Sequence, residues 1–133
     1  MTAPLLVAVD RDIDVITARQ AGRELAAKIG FSGCDLTLIA TAISEVARNI
    51  IVYAERGEIV LSAVAEGGRR GLQVVARDEG PGIANVELAM RDGYSTGKSL
   101  GLGLPGARRL MDELELDSEV GRGTTVTMKK WLS

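Results

Sequence analysis

Glu45 and Asn49 stand four positions apart in the run I-S-E-V-A-R-N-I-I. On a helix that spacing projects both from one face, away from the apolar stripe. A carboxylate one turn from a carboxamide suits a base and metal-ligand pair: Glu45 to orient or deprotonate a hydroxyl, the Asn49 oxygen to hold Mg²⁺. Taken alone, the pair reads equally as a solvated helix face. Asp78 follows a β-like run and opens D-E-G-P-G. Its carboxylate can accept a hydrogen bond from an exocyclic amine such as that of adenine, while Gly80 and Gly82 let the chain turn close to a base. The plain alternative is an Asp-Gly turn that needs only left-handed geometry. Gly101, Gly103 and Gly106 run into a helix-like segment with Pro105 in its first turn, where a missing N–H costs nothing. A glycine-rich loop emptying into a helix start offers unpaired N–H donors and a positive dipole end, which suit phosphate. Ser95, Thr96 and Lys98 lie in the polar stretch before it, placed to touch phosphates from a closing flap or simply to solvate a loop. Thr124, in G-R-G-T-T, can complete an adenine site through its hydroxyl or a bridging water, or merely lead a turn into a strand.

Two familiar phosphate motifs fail on context. Gly101-x-Gly103-x-x-Gly106 has dinucleotide-binding spacing, but polar Y-S-T-G-K-S precedes it where a strand belongs. Gly93-Tyr-Ser-Thr-Gly97-Lys98-Ser99 has three residues between its glycines where a P-loop needs four, and again no strand before it.

The elements that must position these residues follow from periodicity. Pro4 to Val9 is a short β-like run. Asp12 or Asp14 can cap a helix with Val15, Ile16, Ala18, Leu25, Ala26 and Ile29 on its buried stripe, and Gly30 sits at its end. Ser32 with Asp35 resembles a capping box that opens a second helix, Cys34 to about Tyr53. Its apolar side uses Leu36, Ile39, Ile43, Val46, Ala47 and Ile50. Glu58–Ala65 and Leu72–Ala76 are strands joined through Gly67-Gly68, a hairpin looser than the strict two-residue kind. Residues 84–92 are weakly helical and the stretch from Gly93 to Gly103 reads as a flap. Pro105 to Glu113 is a helix, Leu114 to Val120 a strand and Thr124 to Trp131 a closing strand. This order predicts a single α/β (α+β) two-layer sandwich over residues 1–133, with helices on one face of a mostly antiparallel, mixed sheet.

Composition narrows the function. The 133 residues suffice for one domain with a real core. A net charge of −2 with mixed signs argues against nucleic acid or an anionic membrane as partner. Aromatics at 3% leave no stacking platform for single strands. No apolar run approaches the ~20 residues that cross a bilayer, and the N-terminus lacks a basic n-region. The single cysteine, Cys34, fits a reducing cytoplasm. The absence of histidine removes Ser-His-Asp chemistry, histidine metal sites and a phospho-histidine on this chain.

In this order and on these elements, E-x-x-x-N on a helix, D-x-G-x-G after a strand, G-x-G-x-x-G into a helix and G-x-G-T before the last strand resemble the GHKL ATPases (gyrase, Hsp90, histidine kinase and MutL type). The resemblance implies the Bergerat fold, with ATP and Mg²⁺ held under a short lid over residues 84–100. It implies Glu45 as general base, Asn49 as Mg²⁺ ligand and Asp78 as acceptor from the adenine amine. Gly80 and Gly82 would form the base-side turn, Gly101, Gly103 and Gly106 would face the triphosphate, and Thr124 would sit near the adenine. Within that superfamily T-A-I-S-E-V-A-R-N-I, D-E-G-P-G-I, D-G-Y-S-T, G-L-G-L-P-G-A-R-R-L-M-D-E and the final K-W-L are similar to the RsbT-type serine/threonine switch kinases of the bacterial stressosome, over essentially the whole chain. That likeness implies phosphorylation of STAS-domain scaffold proteins, then release to bind and activate a PP2C-type phosphatase. Anti-sigma factor kinases usually follow the Asn with Ala and a nearby His, whereas Asn49 is followed here by I-I-V-Y. An anti-sigma factor kinase or a nucleotide-gated binding module is the alternative; a detached histidine-kinase domain would need a partner carrying its phosphoacceptor.

Overall fold

The computed structural model describes residues 3–80 and 104–132. Gly82, Ser95, Thr96, Lys98, Gly101, Gly103, the stretch 84–92 and the expected lid lie outside the described residues. Along the chain come β1 (Leu5–Val9), α1 (Asp12–Ile29), α2 (Cys34–Ala54), β2 (Gly57–Glu66), β3 (Arg69–Asp78), α3 (Leu104–Leu110), β4 (Glu113–Glu119) and β5 (Gly123–Trp131). The five strands form one sheet in the order β1-β2-β3-β5-β4. Every pairing among them is antiparallel, so the expected mixed character is absent from the described sheet.

Side chains alternate across a strand, so one face collects the apolar set. Two rows show it: Leu5, Leu61, Val74, Met128 and Leu114 lie abreast, as do Val7, Ile59, Ala76, Val126 and Leu116. Ile59, Leu61, Val74, Ala76, Val126 and Met128 are buried, and the helices pack over them. α2 brings Ile39, Ile43, Val46, Ala47 and Ile50 to that core, and α1 brings Val15, Ala18, Leu25, Ala26 and Ile29. Ile16 does not join them; it is exposed. α1 and α2 approach closely at Gly22, where a Cβ would stand 2.1 Å from Ile43 Cδ1.

Local chemistry moves several expected boundaries. Asp14 does not cap α1; it sits in the first turn, and its Oδ2 accepts the N–H groups of Asp10 at 2.9 Å and Arg11 at 3.0 Å. Those two bonds hold its carboxyl below the ordinary value of 3.8. A depressed folded value means that this contribution is complete above the unfolded pKa and disappears as pH falls through the folded one. The Ser32–Asp35 capping box is not made. Gly33, at φ 56, occupies the cap with no side-chain bond, which puts Ser32 one residue too early. The hairpin is the strict two-residue kind, because Glu66 pairs with Arg69 across Gly67 (φ 55) and Gly68 (φ 80). A turn with both central residues at positive φ matches the strand twist, so the ladder runs through charged residues that pattern alone leaves out.

α3 stops at Leu110 rather than Glu113, because β5 captures the following residues. The Asp112 N–H donates to the Lys129 carbonyl at 3.0 Å, and the Trp131 N–H donates to Asp112 Oδ2 at 2.7 Å. Trp131 finishes the sheet with its indole N–H on Glu113 at 2.7 Å and the Arg69 guanidinium 4.3 Å from the ring centre. α2, at 21 residues and mean hydropathy 1.4, is long and apolar enough by composition to cross a bilayer, although Asp35, Glu45 and Arg48 interrupt any continuous apolar run. Half of its apolar window is buried within this fold, where it serves as the central core helix.

Ile43 lies at the α1–α2 contact with no exposed surface. Ile43→Ala is expected to lower the unfolding free energy by about 2–5 kcal/mol, read from the midpoint of urea denaturation at unchanged slope.

Candidate functional site

One row further along the helix-facing side, the sheet turns polar. Val9, Gly57, Asp78, Thr124 and Ser118 lie abreast across all five strands. Asp78 Oδ1 accepts the Gly80 N–H at 2.9 Å and the Thr124 N–H at 3.2 Å. The first bond makes a tight turn out of β3, and the second ties that turn to β5. The Thr124 and Ser118 hydroxyls meet at 2.8 Å, and Ser118 donates to the Gly123 carbonyl at 3.1 Å. Asp78 Oδ2 accepts no hydrogen bond from the described residues, so one lobe of the carboxylate is still available.

Glycines set how closely this row packs. A Cβ on Gly57 would lie 2.3 Å from the Arg77 carbonyl and 2.9 Å from Ile50 Cγ2. A Cβ on Gly123, which has φ +106, would lie 2.1 Å from the Asp78 carbonyl. A Cβ on Gly80 would lie 2.6 Å from that of Ala54, at the last turn of α2. The carboxylate is therefore pressed between two strands and the end of α2 by residues without side chains. Gly106 differs: a Cβ there would meet nothing closer than Arg109 at 4.0 Å, so the fold itself does not demand glycine.

Glu45 and Asn49 lie on α2, which runs along this face to end beside Gly80. They do not sit opposite the apolar stripe as expected. Thr37, Thr41, Arg48 and Val52 take the solvent side, while Glu45 and Asn49 are half-buried on its flank. A flanking position keeps a carboxylate near the sheet yet reachable by solvent. Arg48 NH1 stands 3.5 Å from Glu45 Oε1, one turn along the same helix. Tyr53, one turn beyond Asn49, has its hydroxyl pushed above the ordinary tyrosine value by burial. Outside the same end of the sheet, a cleft of about 690 Å³ is lined by Asp10, Glu55, Arg56, Glu79 and the Glu58–Arg77 ion pair, and it reaches Asp78 from the other side.

The structure thus brings Asp78, Gly80 and Thr124 into direct contact and lays α2, with Glu45 and Asn49, on the same face. Among the described residues no three His, Cys, Asp or Glu side chains converge as a metal cage. Gly57, Gly123 and Ser118 belong to the site although their sequence positions do not announce it. Only the strand register puts Gly57 and Ser118 in line with Asp78. Gly123 was legible as a turn glycine but not as the residue that admits the Asp78 carbonyl.

Gly123→Ala should cost about 1–3 kcal/mol, through both its positive φ and the collision with the Asp78 carbonyl. Thermal unfolding of the variant beside Gly121→Ala measures this, since Gly121 shares a positive φ but has nothing within 4 Å. The difference between the two isolates the collision.

Residues 8–130 match the histidine kinase-like ATPase domain family. The chain is 50% identical over 119 residues to the serine/threonine-protein kinase RsbT of Bacillus subtilis (strain 168), covering 90% of each. It is 37% identical over 106 residues to an anti-sigma F factor of Geobacillus sp. (strain WCH70), covering 74% of this chain and 71% of that protein. A third relative, an anti-sigma F factor of Clostridium kluyveri (strain NBRC 12016), is 34% identical over 100 residues, covering 72% and 70%.

Proposed function

We propose, from the premise that this chain belongs to the histidine kinase-like ATPase domain family, that it is an ATP-dependent serine/threonine protein kinase of a partner-switching system. The observation that carries this reading is the 50% identity to a serine/threonine-protein kinase across 90% of both chains. The geometry supports it independently. A carboxylate with one oxygen fixed by two backbone N–H groups and the other unbonded is suited to a base amine, and Thr124 stands beside it. Among the described residues, Gly106 leaves room beside α3 for phosphates, while Gly80 admits Ala54 of α2 against the turn.

MgATP, when bound, supplies the γ-phosphoryl group. Asp78 and Thr124 would fix the adenine end, with Gly80 and Gly82 shaping the turn around it. Gly101, Gly103 and Gly106, with Ser95, Thr96 and Lys98, would line the phosphates. Asn49 would offer its carboxamide oxygen to Mg²⁺, and Glu45 would accept the proton of the acceptor hydroxyl. Such catalysis needs little beyond positioning, charge stabilisation and one base, which this donor set supplies. The acceptor is a Ser or Thr of a STAS-domain scaffold protein; after transfer the kinase leaves the scaffold and activates a PP2C-type phosphatase by binding it. A second reading has its own support in the anti-sigma F factors that match this chain: a protein that sequesters a sigma factor in a nucleotide-dependent way.

Glu45→Gln should lower phosphoryl transfer by roughly 10²–10⁴-fold, the usual contribution of a general base, with ATP affinity nearly unchanged. The measurement is single-turnover transfer from labelled ATP to a co-encoded STAS protein, beside equilibrium binding of a fluorescent ATP analogue. Undiminished transfer by Glu45→Gln would remove Glu45 from its role. Asp78→Asn keeps an oxygen for the Gly80 and Thr124 bonds but puts an amide where the second acceptor stood. It should therefore abolish nucleotide binding in a folded protein. Sigma-factor capture that requires nucleotide, with no transfer to any STAS protein, would favour the second reading.

A further inference from the structure

At the opposite end of the sheet from Asp78 the fold leaves a strand edge and a groove open together. β1 pairs with β2 only from Gly57 to Leu61, and its register ends at Leu5↔Leu61. Pro4, which has no N–H to donate, precedes the last paired residue, and Ala3 and Pro4 are not in a strand. β2 itself runs on to Glu66, paired with β3 on its inner side throughout. Among the described residues, no strand covers the outer edge of Ser62–Glu66. An uncovered edge presents a row of backbone donors and acceptors that a further strand can take up.

Beside that edge lies a groove of about 250 Å³ between the last turns of α1 and the start of the β2–β3 hairpin. Leu25, Ile29 and Ala63 form its apolar wall, and Lys28 and Arg70 stand at its rim. Both cations are exposed, and neither makes an ion pair or side-chain hydrogen bond with a described residue. Glu66, the acid nearest in sequence to the hairpin's arginines, is engaged by Lys129 at 3.0 Å. The turn at Gly67 and Gly68 adds no side chain that would close the groove from above, with nothing within 4 Å of either position.

We propose that this edge and groove dock an extended, acidic segment of a partner protein, added as a strand along Ser62–Ala65 in line with β1. Backbone hydrogen bonds to the β2 edge set its direction. One apolar side chain of the segment enters the groove against Leu25 and Ile29, and its carboxylates meet Lys28 and Arg70. Acidic residues two positions before and after the apolar one would satisfy both requirements, because every second side chain of a strand points to the same face, and the groove, Lys28 and Arg70 all lie on the helix-facing side. The occupant's chemistry follows from the rim: two exposed cations that make no ion pair among the described residues, beside an apolar slot, favour a negatively charged strand over a neutral or basic one. The site stands about 25 Å from Asp78, taking ~3.3 Å for each residue of β3 between them. It does not rest on the kinase reading, and partner and nucleotide can occupy the chain together.

The test uses the whole chain and a synthetic Glu/Val peptide, Glu-Thr-Val-Thr-Glu, acetylated and amidated, which sets both acids on the same face as the valine. Amide chemical shifts of the isotope-labelled protein should move in Ser62–Ala65, Leu25 and Ile29, with and without ATP. The Lys28→Glu, Arg70→Glu double variant should bind that peptide at least tenfold more weakly and gain at least tenfold for the matching Lys/Val peptide. A peptide N-methylated at alternate residues, which cannot pair with the edge, should lose binding to the unchanged protein. Shifts scattered over the surface or gathered near Asp78 would overturn the proposal, as would affinity indifferent to charge reversal. Full binding of the N-methylated peptide would do the same, reducing the groove to a side-chain slot. Tighter binding of a medium-chain carboxylate, dodecanoate, at the same residues would replace the strand with an amphiphile.

Discussion

The fit of Asp78 between β3, β5 and the end of α2 is the constraint on which the rest of this structure depends. One carboxylate oxygen holds the Gly80 and Thr124 N–H groups, so a single side chain closes the turn after β3 and locks it to the neighbouring strand. Bonds of this kind, from a charged acceptor to backbone N–H, are stronger than neutral ones and cost most when one partner is removed. They also leave the second oxygen in a fixed direction. Positioning a recognition group through the backbone of two strands makes it as rigid as the sheet.

That rigidity needs space that ordinary side chains would fill. Gly57, Gly80 and Gly123 each face a backbone or Cβ atom at under 3 Å from where their own Cβ would be. They let Ile50, Ala54 and the Asp78 carbonyl come into contact, and this draws α2 down onto the site end of the sheet. The same helix supplies the core residues Ile39, Ile43, Val46 and Ala47. The core and the site are therefore not separate layers. A change that lifts α2 from the sheet moves Glu45 and Asn49 away from Asp78, whatever it does to stability.

The sequence made the helices legible because their apolar spacing runs for many residues; of the candidate site residues, Asp78 and Thr124 stood out at element boundaries, and Glu45 and Asn49 by their i, i+4 spacing inside α2. Glu45, Asn49 and Thr124 fall on the elements expected for them, whereas Asp78, expected just after its strand, is the last residue of β3. What escaped was set by partners distant in the chain. The end of α3 depends on β5 taking Asp112 into its ladder, and the part played by Ser118 depends on register with Thr124. The cap of α2 escaped for a local reason, since a glycine at φ 56 does with backbone geometry what Ser32 would have done with a side chain. The flanking position of Glu45 and Asn49 is a matter of degree: i, i+4 spacing shows that they share a face but not how far that face is turned toward the sheet.

Glu45 and Asp78 are held in contrasting ways, and the contrast suits the different tasks proposed for them. Asp78 is fixed by two backbone donors in the sheet. Glu45 pairs, among the described residues, with one cation, Arg48, at 3.5 Å one turn along the same helix. An exposed i, i+3 pair is worth at most a few tenths of a kcal/mol and is further weakened by salt. A group that recognises a rigid base gains from being immobile, because every lost degree of freedom is removed before binding. A group that must accept a proton from an incoming hydroxyl gains from being able to exchange one weak partner for another. Arg48 keeps the carboxylate from reaching randomly into solvent and can release it at almost no cost when an acceptor arrives. In the proposed kinase, the stronger local bonds thus fall on the recognition group, Asp78, and the weaker contact on the proton acceptor, Glu45.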